Sequence, residues 1–575
     1  MGHEVHLMRR RPSMMGMAAL VLAFTLPAWG VTGRASGAGG RVPANAAGRP
    51  NVLLVTVDSF RPDHLSAYGY PKPTTPTLDR LARRGVLFRQ AINQTSWTSP
   101  SLVSILTALY PSTHGVDGRT KSVNPSVITP LKRLREAGYS VPALSYLIAL
   151  PEFEHLGFEP SEEKELEPWL VKNSGRPFFA WIHLEGPHLP LNPRPPYDRM
   201  FTPGGRPLPA DVLARLKPFR QNPVITKDEV RVDPADSGAV AALYDGKVRR
   251  TDDEIAQILG VLDRLGLSES TLVIISADHG DELLDHGFIG HASTSLAGTL
   301  YDEVIRVPLI MVYPPFLPKG RSIAPQVEGI DILPTVLEML AIPPPPIMQG
   351  RSLLPLIRGE GQRPPQRAFS ETTTCGRSCP EGTEEGRLQS LRTPTWKLIR
   401  IQNPAGERFE LYHLTSDPKE RRNVAAKNPQ TFSRLRAELH QWLASSLVQA
   451  EELRALARLS TPQDRPGGSA SSGRPRIVRP RDGWQLSHRD ESGRVIIEWE
   501  GNPNSRYVLE YEVGTGKYHL RGDFTVLGLR KEFGPLKTEV WNLLPLYNPF
   551  KVRVRPAPCP TPSCWSQWVT FNVGA

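Results

Sequence analysis

Thr98 stands at the mouth of an apolar segment, Thr98-Ser99-Pro100-Ser101-Leu102-Val103-Ser104-Ile105-Leu106-Thr107, with proline in what would be the first helical turn. Proline fits there because its missing N–H would be unpaired in any case. A helix N-terminus presents free N–H groups and favours negative charge. A hydroxyl at that point is therefore either a helix cap or a nucleophile toward a phosphate- or sulfate-like centre. The residues around it favour the nucleophile. Asp58 follows the run NVLLVTV, Asp278 and His279 follow TLVIISA, His183 lies near the end of PFFAWIHL, and His188 comes in the next loop. Ligands of open parallel sheets lie at the carboxyl ends of the strands. One crevice is thus expected to receive two carboxylates and three imidazoles beside Thr98. An adjacent Asp-His pair at a strand terminus suits zinc, manganese or calcium. Such a metal would polarise ester oxygens and lower the pKa of the Thr98 hydroxyl.

The elements that must hold these groups are legible from periodicity. Residues 51–455 alternate buried strands with amphipathic helices. Asn51 to Val57, Pro177 to Leu184, Thr271 to Ala277 and Val307 to Tyr313 read as apolar, β-rich strands. Thr77 to Arg84 reads as a short helix stopped by Gly85, and Tyr244 to Leu265 as a longer one. The alternation predicts an α/β doubly wound sheet. Residues 200–238, rich in Pro, Asp and Arg, read as a surface excursion or lid, and Pro343 to Pro346 as a rigid turn. Residues 456–476 have the composition of an interdomain linker. Residues 477–575 then change to short β-rich runs at sandwich-like spacing: Val495–Trp499, Tyr507–Val513, Val540–Leu543, Phe550–Val554 and Trp568–Val573.

At 575 residues the chain is long enough for more than one domain, and 39% hydrophobic with 22% charged residues is the balance of a soluble globular protein. The formal net charge of +11 suits an anionic substrate. No Lys/Arg block is interleaved with aromatics, so no nucleic-acid partner is expected. Arg9 to Arg11, the apolar run Met14 to Ala28 and the small residues of Ala28-Trp29-Gly30 read as a signal peptide over 1–30, followed by a flexible leader over 31–50. They predict a periplasmic or secreted protein, with membrane tethering by an uncleaved anchor as the alternative. Cys375 with Cys379, and Cys559 with Cys564, then read as two local disulfides.

Over nearly all of 51–455 the chain resembles the sulfatase branch of the alkaline phosphatase superfamily. The motifs are NVLLVTVDSFRPDHLSAYGY, the T-S-P-S element, LTALYPSTHGV, WIHLEGPHLPL, ISADHGDELLDHGFIGHASTSLAGTLYDEVIRVPLIM, VEGIDILPTVLEMLAIPPPP with GRSLLPL, TPTWKLI and FELYHLTSDPKERRNVA. The resemblance implies an alkaline-phosphatase-like fold with a C-terminal subdomain near 370–455. It implies Asp58, Thr98, Asp278 and His279 as metal ligands, Thr98 also being the nucleophile. His188 would protonate the leaving oxygen, with His183 assisting. Lys397 would bind the substrate anion and His291 would line the pocket.

The departures redirect the chemistry. A true sulfatase of this family has Cys or Ser at the Thr98 position, oxidised to formylglycine, which threonine cannot become. The arginine after Pro-Ser is Leu102, the second Asp of the first-strand pair is Ser59, and the Gly-Lys-Trp-His element expected near 144–148 reads Leu144-Ser145-Tyr146-Leu147-Ile148. Phosphoryl chemistry on a mono- or diester is therefore expected. Two alternatives stay open: sulfuric ester hydrolysis by the unconverted hydroxyl, or a catalytically inactive, surface-binding homologue. VIIEWEG, RYVLEYEV, PFKVRVRP and CWSQWVTFNV resemble a fibronectin type III domain. That resemblance implies a spacer or a module for a cell-surface or glycan ligand, in which Trp565 and Trp568 form a structural pair or a sugar-stacking platform.

Overall fold

The run Asn51–Val57 is buried at every position and forms the central strand β1, because an unbroken β-branched and aliphatic segment can be covered on both faces. It belongs to a computed structural model that describes residues 49–573. The exceptions are 117–121, 124–126, 162, 164, 174, 223–232, 296–297, 361–366, 375, 377–385, 404–405, 460–475, 487–494, 501–505, 514–519, 528, 534–548 and 557–565. The expected signal segment and all but the last two residues of the leader, all four cysteines, the expected strand Val540–Leu543 and Trp565 lie outside the described residues. Among the described residues no helix is long and apolar enough to cross a membrane.

The main sheet contains β1, β2 (Val86–Ile92), β3 (Ala143–Leu144), β4 (Phe179–Leu184) and β5 (Thr271–Ala277). A short hairpin, β6 (Glu282–Leu283) with β7 (Ile289–Gly290), precedes β8 (Arg306–Val312), β9 (Arg321–Ile323) and β10 (Val327–Glu328). The order across the sheet is β10-β2-β8-β5-β1-β4-β3, with β9 paired to β2. β1 runs parallel to both β4 and β5. The sheet is not parallel throughout, however: β8 is antiparallel to β5 and to β2. Parallel neighbours need a crossover to the opposite end of the sheet, whereas a chain that turns back at the same end must return antiparallel. The segment Asp278–Ile305 leaves the carboxyl end of β5, folds over that end and re-enters as β8. Its sequence is thus spent on the crevice instead of on a crossover helix.

Helix Pro76–Arg84 forms and ends at Gly85, as its pattern indicates. The longer helix begins earlier than its apolar period indicates, spanning Ser237–Arg264. The described residues of 200–238 are not structureless. They include helices Ala210–Arg215 and Lys217–Gln221, anchored by Leu216 and Phe219 in the core of the main sheet. The main chain of Phe219 also accepts a hydrogen bond from Leu191 N at 2.7 Å, just beyond the His188 loop.

A second, antiparallel sheet runs β11 (Ala368–Thr373), β12 (Arg387–Arg392), β13 (Trp396–Asn403) and β14 (Gly406–His413) in simple succession. Helix Pro429–Leu459 covers it, with Leu435, Leu439 and Trp442 packed on Leu391, Leu398 and Leu411. The C-terminal region is built from β15 (Arg476–Arg479), β16 (Trp484–Leu486), β17 (Val495–Glu500), β18 (Arg506–Val513), β19 (Leu520–Leu527), β20 (Arg530–Phe533), β21 (Phe550–Pro556) and β22 (Val569–Val573). These strands make two sheets, β15-β17-β20 and β16-β22-β21-β18-β19. Ile497, Trp499, Tyr507, Leu509, Val554 and Phe571 form their shared core. Trp568 holds the Arg553 guanidinium 4.5 Å from its ring centroid.

Candidate active site

The carboxyl ends of β1, β4 and β5 lie side by side because their registers align Val57 with Leu184 and with Ala277. Asp58, His183, Asp278 and His279 are therefore carried to one place by strand geometry alone. The helix Thr98–Thr107 points its N-terminus at the same place. Its N-cap residue is Trp97, not Thr98, and Thr98 is the first helical residue. The Thr98 hydroxyl caps nothing: it lies 3.5 Å from Asp58 Oδ2 and 3.3 Å from His279 Nε2.

Two loops are shaped to allow this approach. Ser59 has φ of 57°, a left-handed conformation costing an L-residue about 1–2 kcal/mol. In return its N–H donates to Asp278 Oδ1 at 3.3 Å and its hydroxyl to Asp58 Oδ1 at 2.9 Å. Gly186 passes so close over β1 that a Cβ there would sit 2.3 Å from the Asp58 carbonyl oxygen. Asn93, at the end of β2, donates to the carbonyls of Ala277 at 2.8 Å and Asp278 at 2.5 Å, fixing the tip of β5.

Four donor side chains, Asp58, His183, Asp278 and His279, form a cage. His279 Nε2 lies 3.6 Å from Asp58 Oδ1 and 3.5 Å from Asp278 Oδ2. His183 Nε2 lies 3.8 Å from Asp58 Oδ2 and 4.0 Å from Asp278 Oδ2. Ligand atoms of Asp58, His183 and Asp278 all fall within 4.8 Å of one another, and all three residues are buried. Asp278 Oδ2 and His183 Nε2 have no hydrogen-bond partner among the described residues. Leaving a buried carboxylate oxygen and a ring nitrogen unsatisfied is costly, and these atoms are too far apart to satisfy each other. Each imidazole uses its other nitrogen elsewhere: His279 Nδ1 on the Gly280 carbonyl at 2.7 Å, His183 Nδ1 on Thr56 Oγ at 2.9 Å. That is the outer support that orients a metal-ligating histidine. The donor set, two carboxylates with two imidazoles, fits a borderline divalent metal such as zinc or manganese.

Electrostatics divide the cage. Burial would raise the Asp58 carboxyl, but the imidazoles of His188, His183 and His279 outweigh it and hold the group well below the usual carboxylate range. Burial and the charge of Asp58 push Asp278 well above that range. Burial lowers His279. His188 goes the other way: burial disfavours its cation, yet the charges of Asp58 and Asp281 raise it. Its Nδ1 is engaged with the Leu189 carbonyl at 2.5 Å, so Nε2 is the nitrogen left for chemistry.

His291 joins this group. Its ring lies 4.2 Å from that of His279 and 5.1 Å from that of His188, centroid to centroid. Its Nδ1 meets Asp281 Oδ1 at 3.0 Å. Asp281 was not singled out as a site residue by the sequence pattern, although it lies in the Asp278-His279-Gly280-Asp281-Glu282 stretch. Burial pushes its carboxyl up to about 7. The signal was the spacing to His291, ten residues on, which becomes a contact only because the hairpin β6–β7 folds back.

Lys397 does not join the site, contrary to its expected role on the substrate anion. Its ammonium is fully buried, 3.0 Å from Asp302 Oδ1 and 2.9 Å from Glu420 Oε1. Arg392 pairs with the same Asp302 at 2.7 Å. The cluster ties the segment before β8 to the second sheet. Lys397→Met is expected to destabilise the protein by about 3–5 kcal/mol, because buried Glu420 loses its counter-charge and Asp302 keeps only Arg392. Urea unfolding measures that loss. Turnover by the folded fraction should stay within about twofold of wild type, and a selective rise in KM would return Lys397 to the substrate. Leu102, where the family's arginine is missing, is buried in the main core, as are Leu144 and Leu147 of the stretch that lacks the Gly-Lys-Trp-His element.

Fold and cage together are those of an α/β protein with a candidate metal site at the strand ends. The sulfatase family model matches residues 50–146 and 164–342, and the N-sulphoglucosamine sulphohydrolase C-terminal model matches 297–449. An N-acetylglucosamine-6-O-sulfatase of Bacteroides thetaiotaomicron is 22% identical over 499 residues, covering 70% of this chain and 87% of that protein. A multifunctional alkaline phosphatase superfamily protein, PehA of Trinickia caryophylli, is 25% identical over 390 residues, 51% of this chain and 74% of that one. The crystal structure of a phosphonate monoester hydrolase of Agrobacterium radiobacter superposes with a TM-score of 0.54 at 25% identity, covering 70% of this chain and 96% of that one. The chain belongs to the sulfatase family, with the SGSH_C C-terminal domain, in the alkaline phosphatase superfamily. Enzymes of this family are metal-dependent ester hydrolases.

Proposed function

We propose that this protein is an exported, metal-dependent hydrolase that attacks a phosphate mono- or diester with Thr98. The observation that carries the reading is the Thr98 hydroxyl at 3.5 Å from Asp58 and 3.3 Å from His279, with no capping role to occupy it. Asp58, Asp278, His279 and His183 are the residues that would hold the metal. When bound, it would polarise the ester oxygens and favour the ionised hydroxyl. Thr98 Oγ, its proton released to solvent as the ionised form is favoured, bonds to phosphorus in line as the ester oxygen departs. His188, whose protonated form is favoured by the charges of Asp58 and Asp281, gives its Nε2 proton to that oxygen. Neutral His188 then takes a proton from water, whose oxygen bonds to phosphorus and displaces the Thr98 oxygen, freeing phosphate from a monoester or a phosphate monoester from a diester. His291, braced by Asp281, lines the side of the pocket next to His188.

Threonine has no route to formylglycine, and neither Leu102 nor the stretch Leu144-Ser145-Tyr146-Leu147-Ile148 offers a charge to clamp a sulfate. Among the relatives, a phosphonate monoester hydrolase and a multifunctional superfamily protein stand beside the sulfatases. The purified protein, loaded in turn with zinc, manganese or calcium, should turn over an aryl phosphate mono- or diester in preference to an aryl sulfate. Selective sulfate turnover would instead support a sulfatase proper, and no turnover with no bound metal would support an inactive homologue. Export rests on the N-terminal signal pattern. The pairing of a three-stranded with a five-stranded sheet supports a fibronectin type III-like C-terminal module. Its ligand would be a cell-surface glycan or protein.

A further inference from the structure

One turn of the helix Ser237–Arg264 faces the active site with four buried residues, Tyr244 to Lys247. Lys247 is 4% exposed, and its Nζ donates to the main-chain carbonyls of His188 and of Pro190, the latter at 3.3 Å. Among the described residues it makes no salt bridge, although Glu185, Asp58 and Asp281 surround it at longer range. Removing a lysine from water without a paired carboxylate is costly, so this one is retained for what it holds. Three residues earlier on the same face, the Tyr244 hydroxyl donates to the Ser59 carbonyl at 2.5 Å and accepts from Arg61 N at 3.0 Å. Gly246, between the two, lets the Tyr197 main chain lie against this turn, since a Cβ there would sit 2.3 Å from the Tyr197 carbonyl oxygen. Two loops that share no sequence neighbourhood, one bearing Asp58 and the other His188, are thus pinned through their backbones to a single helical turn.

We propose that Lys247 is a positioning residue for His188. It holds the loop so that Nε2 faces the leaving oxygen, while Tyr244 fixes the opposite wall. The inference rests on the role of His188 proposed above. Its signature lies in kcat/KM, which reports only the step that forms the Thr98 intermediate and so isolates leaving-group protonation. In the ester class that the wild-type enzyme turns over, Lys247→Met should lower kcat/KM for a methyl leaving group by about 100-fold, the lower end of what general-acid loss produces. For 4-nitrophenolate, which departs without a proton, it should lower kcat/KM less than about threefold. Lys247→Arg, which keeps several donors, should recover most of the methyl-ester rate. Tyr244→Phe should affect both substrates equally, through the Asp58 wall. Lys247→Gln provides the same comparison if the apolar variant does not fold. Equal losses on both substrates, or no rescue by arginine, would overturn the inference. His188→Gln separates the two levels. If it shows no leaving-group dependence, the proposed acid role fails. If it does and Lys247→Met does not, only the positioning role fails.

Discussion

Thr98→Ala is expected to lower kcat/KM by at least about 10⁴-fold, or about 5.5 kcal/mol of transition-state stabilisation, while leaving bound metal and fold intact. The size follows from what the residue does. Its oxygen is the group that bonds to the substrate in the proposed reaction, and the neighbouring hydroxyls are engaged: Ser59 donates to Asp58 Oδ1 at 2.9 Å and Ser101, one turn along, to the Asp278 carbonyl at 2.5 Å. Ser99 is buried on the first turn beside it. Thr98→Ser keeps the oxygen on the same helix position and should retain activity within about tenfold, the loss arising from the freer rotamer of an unbranched side chain. Steady-state kinetics with metal analysis of each variant make the comparison. If the alanine variant keeps a tenth of the wild-type rate, water and not Thr98 is the attacking group.

Stripping the metal is expected to have the second largest effect, and it should appear in stability as well as in turnover. The cage brings Asp58 and Asp278 together in a buried setting and leaves Asp278 Oδ2 and His183 Nε2 unsatisfied. A cation bound at 100 times its dissociation constant would add about 2.7 kcal/mol to stability. Chelation should remove that contribution and lower the melting temperature together with activity. Zinc or manganese should restore both better than calcium, because two of the donors are nitrogens. His183→Gln should weaken zinc retention, measured by elemental analysis, and narrow the advantage of zinc over calcium. A melting temperature unchanged by chelation, with no metal in the purified protein, would leave the cage without its proposed occupant.

Much of this architecture is written locally. A seven-residue buried run followed by Asp, and another followed by Asp-His, say where strands end, and strand ends in a partly parallel sheet are where side chains converge. Asp58, Asp278, His279, His183 and His188 were legible for that reason, and Thr98 because proline in the first turn marks a helix start. His183 was legible as a member of the group but not as a partner of the two carboxylates. That depends on its alignment with Thr56 in the neighbouring strand, where the Thr56 hydroxyl turns the ring.

Other features depended on partners far away in sequence. Lys397 lies on a strand where a lysine reads equally well as an anion binder or a snorkelling edge residue. Asp302 and Glu420, 95 positions before and 23 after it, make it an internal counter-charge. Lys247 sits in a helix whose polar residues look solvated until the His188 loop folds over it. The antiparallel return of β8 has no local signature, since its apolar run would look the same in either direction. Periodicity and chain breaks thus determined which elements form and which residues stand at their ends, because those depend on backbone geometry within a few residues. Tertiary structure alone decided which buried charge meets which, because that depends on how segments tens to hundreds of residues apart are packed together.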